Sequence, residues 1–387
     1  MAEKQAWQVR ALLAVGTTAV RAARNVLFLR LLPPSRPETI VIHIRGNVGD
    51  MVVAVPAIRA VRKHFPASKL LLLTSTGSPS LPGAAELFQG APFLDGILRY
   101  SNEDAHSWAG RRRLIQQIRD LRADVLVMPS PARITLSDLF RNLLFARLSG
   151  VTFAGGLAWC TAPAPFIPMQ ARTDSPREVT RYLALLSDIG IPAEPPQMWL
   201  PEPHADELSA LSALTPPGPY IVMCAGGKQV QHRWPPDRFA EIGRRLKSRG
   251  YDLAAVGSDS ERQLSDVVLA SAGGGINACG RLSLGGTAKL LTGARLVVTN
   301  DTGPMHIAAA AGTPVVAVFS GADLPGRWYP FGENNRVLRT QRACPRCLFN
   351  RSFSDHCVSR ISLEDVWRSC EQLLDTADVE CRELTAV

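Results

Sequence analysis

Residues 39–75, TIVIHIRGNVGDMVVAVPAIRAVRKHFPASKLLLLTS, decide the fold class. TIVIHIR (39–45) is an apolar run of strand length, and GNVGD (46–50) is a glycine-rich turn. MVVAVPAIRAVRKHF (51–65) places Ala54, Ile58, Val61 and Phe65 at helical spacing. Pro56 is tolerable in that helix if it falls in the first turns, where backbone N–H groups lack partners anyway. KLLLLTS (69–75) is a second strand. Strand, helix and strand make a βαβ unit, and such units build parallel sheets.

The alternation continues in both directions along the chain. GRRRLIQQIRDLR (110–122) reads as a helix and ADVLVMPS (123–130) as a strand, so one α/β domain spans residues 38–195. A proline-rich stretch at 196–219, with one helix-like piece (HADELSALSAL), reads as a linker. From 220 to 387 the pattern resumes, with strands at 220–226, 251–258, 295–300 and 314–320. Helices are expected at 236–250, 261–273, 284–294, 304–312 and 362–377, the last with Ser362 as its cap. Two doubly wound domains bind ligands outside the carboxyl ends of their strands.

A chain of 387 residues suits two domains, and 46% hydrophobic against 20% charged residues is a globular composition. The net charge of +9 points to an acidic partner: nucleic acid, anionic membrane or a phosphorylated substrate. The excess is concentrated at the start. Residues 1–38 carry Lys4, Arg10, Arg21, Arg24, Arg30 and Arg36 against Glu3 and Glu38. Arg21 and Arg24 interrupt the apolar runs too early for a membrane span, and their position is wrong for a signal peptide. Residues 1–37 therefore read as a basic amphipathic segment that meets an anionic membrane surface, with a helix packed on the protein's own surface or a frayed terminus as the alternatives. The ordered fold is expected to begin at Glu38, after Pro33, Pro34 and Pro37. Five of the eight cysteines (Cys160, Cys224, Cys279, Cys370 and Cys381) are scattered singly, which points to a reducing compartment.

Three segments carry chemistry. NDTGPMHIAAAAGTPVVAVFS (300–320) ends a strand at Asn300 and Asp301, then offers Thr302 as a cap, Gly303 for close backbone approach, Pro304 at the first helical position and His306 in the first turn. Helix N–H groups and the helix dipole there form an anion cradle, and Asp301 and His306 are placed to orient a sugar or diphosphate. CAGGKQVQHRWPPDRF (224–239) follows another strand, with Gly226 and Gly227 beside the cations Lys228, His232 and Arg233. In GNVGD, Asp50 stands at the carboxyl end of the first strand, where position alone does not separate a general base from a helix cap.

RGNVGDMVVAVPAIRAV (45–61), GGKQVQHRWP (226–235) and NDTGPMH (300–306) together resemble the signature regions of glycosyltransferase family 9, the bacterial heptosyltransferases of lipopolysaccharide synthesis, over residues 38–370. The resemblance implies an α/β protein of GT-B fold, two Rossmann-like doubly wound domains facing a central cleft. The N-terminal domain would bind the acceptor and the C-terminal domain the nucleotide sugar. Asp50 would match the family's general base, and Asp301, Thr302, Gly303 and His306 would hold the donor sugar and diphosphate. Glu261 would match an acidic residue near the donor ribose, and Leu282 would line the nucleobase pocket. One departure stands out: the family usually has Lys-Arg before Trp-Pro, whereas here the pair is His232-Arg233, with Lys228 as the nearby replacement cation.

The expected reaction is inverting transfer of a heptose or related sugar from a nucleotide-diphosphate donor, ADP-heptose first among them, to a lipopolysaccharide-type acceptor, on the cytoplasmic face of the inner membrane. No two aspartates are spaced as D-x-D, so protein cations in place of a metal ion would neutralise the leaving diphosphate, and no cofactor is expected. CPRCLFNRSFSDHC (344–357) has zinc-type spacing at Cys344 and Cys347, with His356 or Cys357 as further ligands, but lacks a second proper pair; buried thiols or a disulfide are its other readings. The alternatives are a donor from another glycan pathway, an epimerase of related fold, and a non-catalytic nucleotide-sugar or lipid binder. A nucleic-acid binder is disfavoured by the 6% aromatic content and the absence of a recognisable module.

Overall fold

A computed structural model describes residues 2–28, 32–75, 84–130, 134–159, 175–340, 344, 347 and 356–385. Residues 29–31, Cys160, and the side chains of Lys4 and Cys381 lie outside the described residues. The chain divides into two compact units, Met1–Pro79 with Gly83–Trp199, and Ser80–Pro82 with Leu200–Val387.

The first unit is built on β1 (Thr39–Ile44), β2 (Lys69–Ser75), β3 (Gly96–Tyr100), β4 (Val125–Val127) and β5 (Phe153–Gly155). Their order is β3-β2-β1-β4-β5, and every neighbouring pair is parallel. Ile40, Val41, Ile42 and Ile44 are all buried, the continuous apolar run expected of a strand covered on both faces. The helix Val48–His64 follows β1, with Met51, Val52, Val55, Ile58 and Val61 buried and Arg62, Lys63 and His64 at its carboxyl end, where cations complement the dipole.

Two expectations need correction here. Pro56 lies inside that helix and not in its first turns. Its ring costs one backbone hydrogen bond, and the burial of Val52, Val53, Val55 and Ile58 around it holds the helix together. The ordered chain also begins well before Glu38. Residues Ala2–Phe28 form one helix, built into the first unit by Val9, Val20 and Arg24. A Cβ on Gly16 would stand 2.2 Å from the Trp159 ring, and the Trp159 N–H donates to Thr17 Oγ1 at 3.0 Å. Arg24 lies over the Phe153 ring at 4.6 Å and pairs with Asp188 at 2.8 Å, and Arg21 pairs with the same carboxylate at 3.1 Å. The two arginines that interrupt the apolar pattern thus serve a buried carboxylate far along the chain, a contact that local spacing does not reveal.

The second unit carries β6 (Tyr220–Cys224), β7 (Asp252–Ala255), β8 (Ile276–Asn277), β9 (Leu296–Asn300), β10 (Val315–Phe319) and β11 (Asn335–Arg339). Their order is β11-β10-β9-β6-β7-β8, again parallel throughout. Phe239, Ile242 and Leu246 of the helix Pro236–Ser248 pack with Val268 and Leu269 and with Val366 and Cys370 of the helix Leu363–Thr385. Ser362 caps that last helix by accepting the Asp365 N–H at 3.1 Å. Within the proline-rich stretch, Ala205–Glu207 and Leu208–Leu214 are helical. The Glu207 carboxylate accepts the Ser283 N–H and hydroxyl at 3.1 and 2.7 Å, which seats this stretch on the second unit.

Strand order reverses between β1 and β4 in the first sheet and between β6 and β9 in the second. Loops diverge at such points and leave a crevice at the carboxyl ends of the strands. Asp50 lies in the first turn of the helix that follows β1, and the two segments singled out in the second unit follow β6 and β9.

Candidate functional site

Asn300, the last residue of β9, is fully buried and organises the site of the second unit. Its Nδ2 donates to the carbonyls of Ala225 (2.8 Å) and Gly226 (2.9 Å), and its Oδ1 accepts the Trp234 N–H at 2.9 Å. Trp234 is itself buried, with its indole N–H donating to the Ile361 carbonyl at 3.0 Å. One side chain therefore ties together the end of β9, the turn after β6 and the start of the next helix. Asn300 is absent from the expected site residues, although a polar residue closing an all-apolar strand was a signal that buried partners were needed.

The two glycines of the β6 turn are explained by what approaches them. A Cβ on Gly226 would stand 2.2 Å from a Glu261 carboxylate oxygen. Gly227 has φ +151°, and a Cβ there would press on Thr302 at 3.2 Å. Glu261 accepts the Ser258 N–H at 2.7 Å and the Ser258 hydroxyl at 2.8 Å, so its carboxylate is oriented by the turn after β7. Gly280, with φ +66°, lets the following loop close on Asp259, and Leu282 stands half-buried in that loop.

His232 Nδ1 lies 3.3 Å from Asp301 Oδ2. The histidine in the position usually occupied by lysine is thus partnered with the aspartate of the neighbouring segment. Arg233 donates from Nε to the Gly227 carbonyl at 2.7 Å, which braces the glycine turn. Lys228 is exposed beside Gly227 and is not drawn into this network.

Two details after β9 differ from expectation. Thr302 occupies the N-cap position of the helix Gly303–Ala310, but its side chain makes no cap hydrogen bond. Its hydroxyl turns back toward the strand end, 3.3 Å from Thr299 Oγ1 and 3.4 Å from the Asn300 carbonyl. Pro304 is the second helical residue, not the first. His306 is buried, and burial lowers its pKa to about 4 although the Asp301 charge pulls the other way. Its ring meets Trp328 edge-on at 6.1 Å between centroids. Arg327, buried and paired with Asp323 at 3.2 Å, flanks that tryptophan. Neither Arg327 nor Trp328 belongs to a recognisable motif, so sequence reading passed over them.

Gly226, Gly227, His232, Arg233, Glu261, Asp301, Thr302, Gly303 and His306 therefore gather around the β6 and β9 strand ends. What they offer is chemically specific: a helix N-terminus that attracts anions, close backbone approach at Gly227, and a neutral imidazole at His306. Among the described residues, the three-thiol group of Cys344, Cys347 and Cys357 is the one cluster of potential metal ligands.

In the first unit, Asp50 Oδ2 accepts the Asn47 N–H at 2.7 Å. Asp50 is the third residue of its helix, and Asn47 occupies the N-cap position. Gly46, at φ +145°, lets the chain turn tightly over that carboxylate: a Cβ there would be 2.4 Å from it. Nearby on β1, His43 Nε2 is 2.7 Å from the Tyr100 hydroxyl. Burial, with the Arg45 charge, lowers the His43 pKa to about 3, and burial raises that of Tyr100 to about 12. This pair was also missed by sequence reading, because its members lie on different strands.

The buried neutral His306 has a consequence for acid stability. The unfolded chain protonates this residue near pH 6.5, whereas the folded chain does so near 4. Between those values the unfolded state binds more protons, so stability is full above pH 6.5 and falls as pH drops toward 4, on the order of 1 kcal/mol per pH unit. Thermal melts from pH 7 to 4.5 should show this loss, and a His306→Gln variant should show a shallower slope. An unchanged slope in the variant would remove His306 as a source of the effect.

The family model described as glycosyltransferase family 9 (heptosyltransferase) matches residues 111–357. Lipopolysaccharide heptosyltransferase 1 of Pseudomonas aeruginosa is 35% identical over 319 residues, covering 78% of this chain and 84% of the relative. Lipopolysaccharide heptosyltransferase 2 of Salmonella typhimurium is 25% identical, covering 76% of this chain and 85% of the relative. Among solved structures, E. coli ADP-heptose LPS heptosyltransferase II superposes with a TM-score of 0.63 at 22% identity, over 88% of this chain and 99% of that one.

Proposed function

This chain belongs to glycosyltransferase family 9, and we propose that it transfers a heptose from ADP-heptose to a lipopolysaccharide-type glycan acceptor, with inversion and without a catalytic metal ion. It has the GT-B fold and is a glycosyltransferase. The observation that carries the finer reading is the cradle organised by Asn300. It presents an anion-attracting helix end, a glycine turn and an oriented carboxylate at one strand crossover.

In the proposed reaction Asp50 takes the proton of an acceptor hydroxyl. The oxygen forms its bond to the anomeric carbon as the bond from that carbon to the diphosphate breaks on the opposite face. The bonding electron pair leaves with the nucleoside diphosphate, and the proton passes from Asp50 to solvent. The N-terminus of the helix Gly303–Ala310, with Lys228 and Arg233 nearby, would meet the charge growing on the diphosphate. His232 would act through Asp301, keeping that carboxylate oriented toward the donor sugar. Glu261 is the proposed ribose acceptor and Leu282 the proposed base-facing residue.

The partner surface proposed for residues 1–36 is an anionic membrane on the cytoplasmic face of the inner membrane. No described helix is long and apolar enough to cross a membrane. The outward side of the helix Ala2–Phe28 carries Trp7, Arg10, Val15 and Val26, all exposed. An aromatic and aliphatic face beside cations suits shallow insertion among anionic headgroups. Arg21 and Arg24 are committed to Asp188 and leave that role to the other cations.

Calorimetric titration with ADP, UDP and GDP, with and without added Mg2+ or Mn2+, tests the donor. ADP should bind most tightly, and the added ions should leave its affinity unchanged. Preference for UDP or GDP would overturn the donor, and a requirement for added Mg2+ or Mn2+ would overturn independence from a catalytic metal ion. The same full-length preparation should co-sediment with anionic vesicles more than a Trp7→Ser, Val26→Ser variant does; equal sedimentation would overturn the membrane role.

A further inference from the structure

We propose that Cys344, Cys347 and Cys357 are the thiolate ligands of a divalent, thiophilic cation, zinc or ferrous iron, which clamps the end of β10 and so holds one wall of the donor cradle. Of the segment 344–357, only these three cysteines and His356 are described. The three sulfurs all lie within 4.8 Å of one another, and Cys347 Sγ is 3.4 Å from Cys357 Sγ. Thiolates bound tetrahedrally at about 2.3 Å from one cation stand about 3.8 Å apart, so the group is already near the geometry a metal imposes. A tetrahedral site has a fourth position, which falls to a further group, solvent included.

The surroundings are not those of a greasy pocket that happens to contain cysteines. Cys347 and Cys357 are buried, and the small cluster they form with half-buried Cys344 contains just one other buried residue, Ala322, among those described. The Gly321 N–H donates to Cys357 Sγ at 2.9 Å, and the Cys344 N–H donates to the Gly321 carbonyl at 2.9 Å. A backbone N–H aimed at sulfur favours the thiolate and orients it, as outer-shell partners of metal ligands do. A Cβ at Gly321 would be 2.6 Å from the Cys344 nitrogen, so the residue that receives the clamp has to be glycine. Metal binding would release the thiol protons to solvent as the metal–sulfur bonds form, with no change of oxidation state.

The clamp is tied to the donor site by the chain itself. Gly321 is the second residue past β10 and leads through Asp323 and Arg327 to Trp328, whose ring packs against His306. Without the cation, the hold of Cys344 and Cys357 on Gly321 would loosen, and the Trp328 wall with it. The cation in this proposal is a structural one and takes no part in sugar transfer.

Elemental analysis of the full-length chain, purified under reducing conditions, should give about one zinc or iron per chain. Cobalt(II) exchanged into it should show the sulfur-to-metal charge-transfer absorption of a thiolate site. Cys347→Ser and Cys357→Ser should abolish both signals, whereas Cys381→Ser should keep them. Chelation of the wild-type metal should lower the melting temperature and weaken ADP binding several-fold. Metal-free wild-type protein that gains no absorption from added cobalt would overturn the proposal, as would a Cys347–Cys357 disulfide persisting under reduction in peptide mass spectra. The metal content reads the site whatever the donor proves to be, so failure of the donor assignment is separately visible.

Discussion

Asp50→Asn should lower the rate of sugar transfer by about 10²–10⁴-fold, the range that a positioned general base supplies, and leave nucleotide affinity unchanged. The expectation rests on separating the two roles this carboxylate can play. Asp50 Oδ2 accepts the Asn47 N–H at 2.7 Å, a helix-capping function. An asparagine keeps an acceptor oxygen at the same place, so the cap survives. The lost negative charge near the helix N-terminus costs about 0.3–1 kcal/mol, a small change in melting temperature. The amide has no useful basicity and cannot take the acceptor proton. Steady-state kinetics with a glycan acceptor, read beside a thermal melt and a nucleotide titration, distinguishes the cases. Normal turnover in the variant would leave Asp50 as a cap and nothing more.

Asn300→Ala should cost about 2–4 kcal/mol of stability in the second unit, because it strands the buried Trp234 N–H and the carbonyls of Ala225 and Gly226 at once. In a unit of this size that is a fall in melting temperature of roughly 5–15 °C. Nucleotide binding should weaken as well, since the turn after β6 loses the side chain that orients it. Asn300→Asp is the sharper test. It keeps an oxygen for Trp234 but turns a second oxygen toward two carbonyls that need a donor. A carboxylate there would be buried among acceptors, so this variant should be at least as unstable as the alanine one despite its shape. Denaturant unfolding and calorimetry check both variants. Wild-type stability in either would show that the β6 turn is ordered by something other than Asn300.

The parallel α/β architecture was legible because its strands are buried on both faces. TIVIHI, KLLLLTS and VVAVF carry continuous apolar runs that little else explains, and the glycines after β1, β6 and β9 mark where the backbone must turn closely. The weak strands were not legible. β3 (GILRY), β5 (FAG), β8 (IN) and β11 (NRVLR) are short or only partly buried, and they pair only because a neighbour offers an unpaired edge. The inward contacts of the N-terminal helix were not legible for a related reason. Arg21 and Arg24 look like solvent-facing charges until Asp188, more than 150 residues on, is placed beneath them.

The candidate site divides in the same way. Residue types at strand ends are a local property, so the sequence by itself determined that Asp50, Gly226, Gly227, Asp301, Thr302 and Gly303 would lie just past the carboxyl ends of strands, and the order of these segments along the chain carried the resemblance to the family. The partners of each side chain depend on which strands lie side by side, and only the tertiary structure decided those. It set His232 on Asp301, made Asn300 the tie between two segments, brought Trp328 against His306 and gathered three thiols beside Gly321. A hydrogen bond or a metal site requires atoms within a few ångströms, and for residues tens of positions apart the packing of the sheet alone brings them that close.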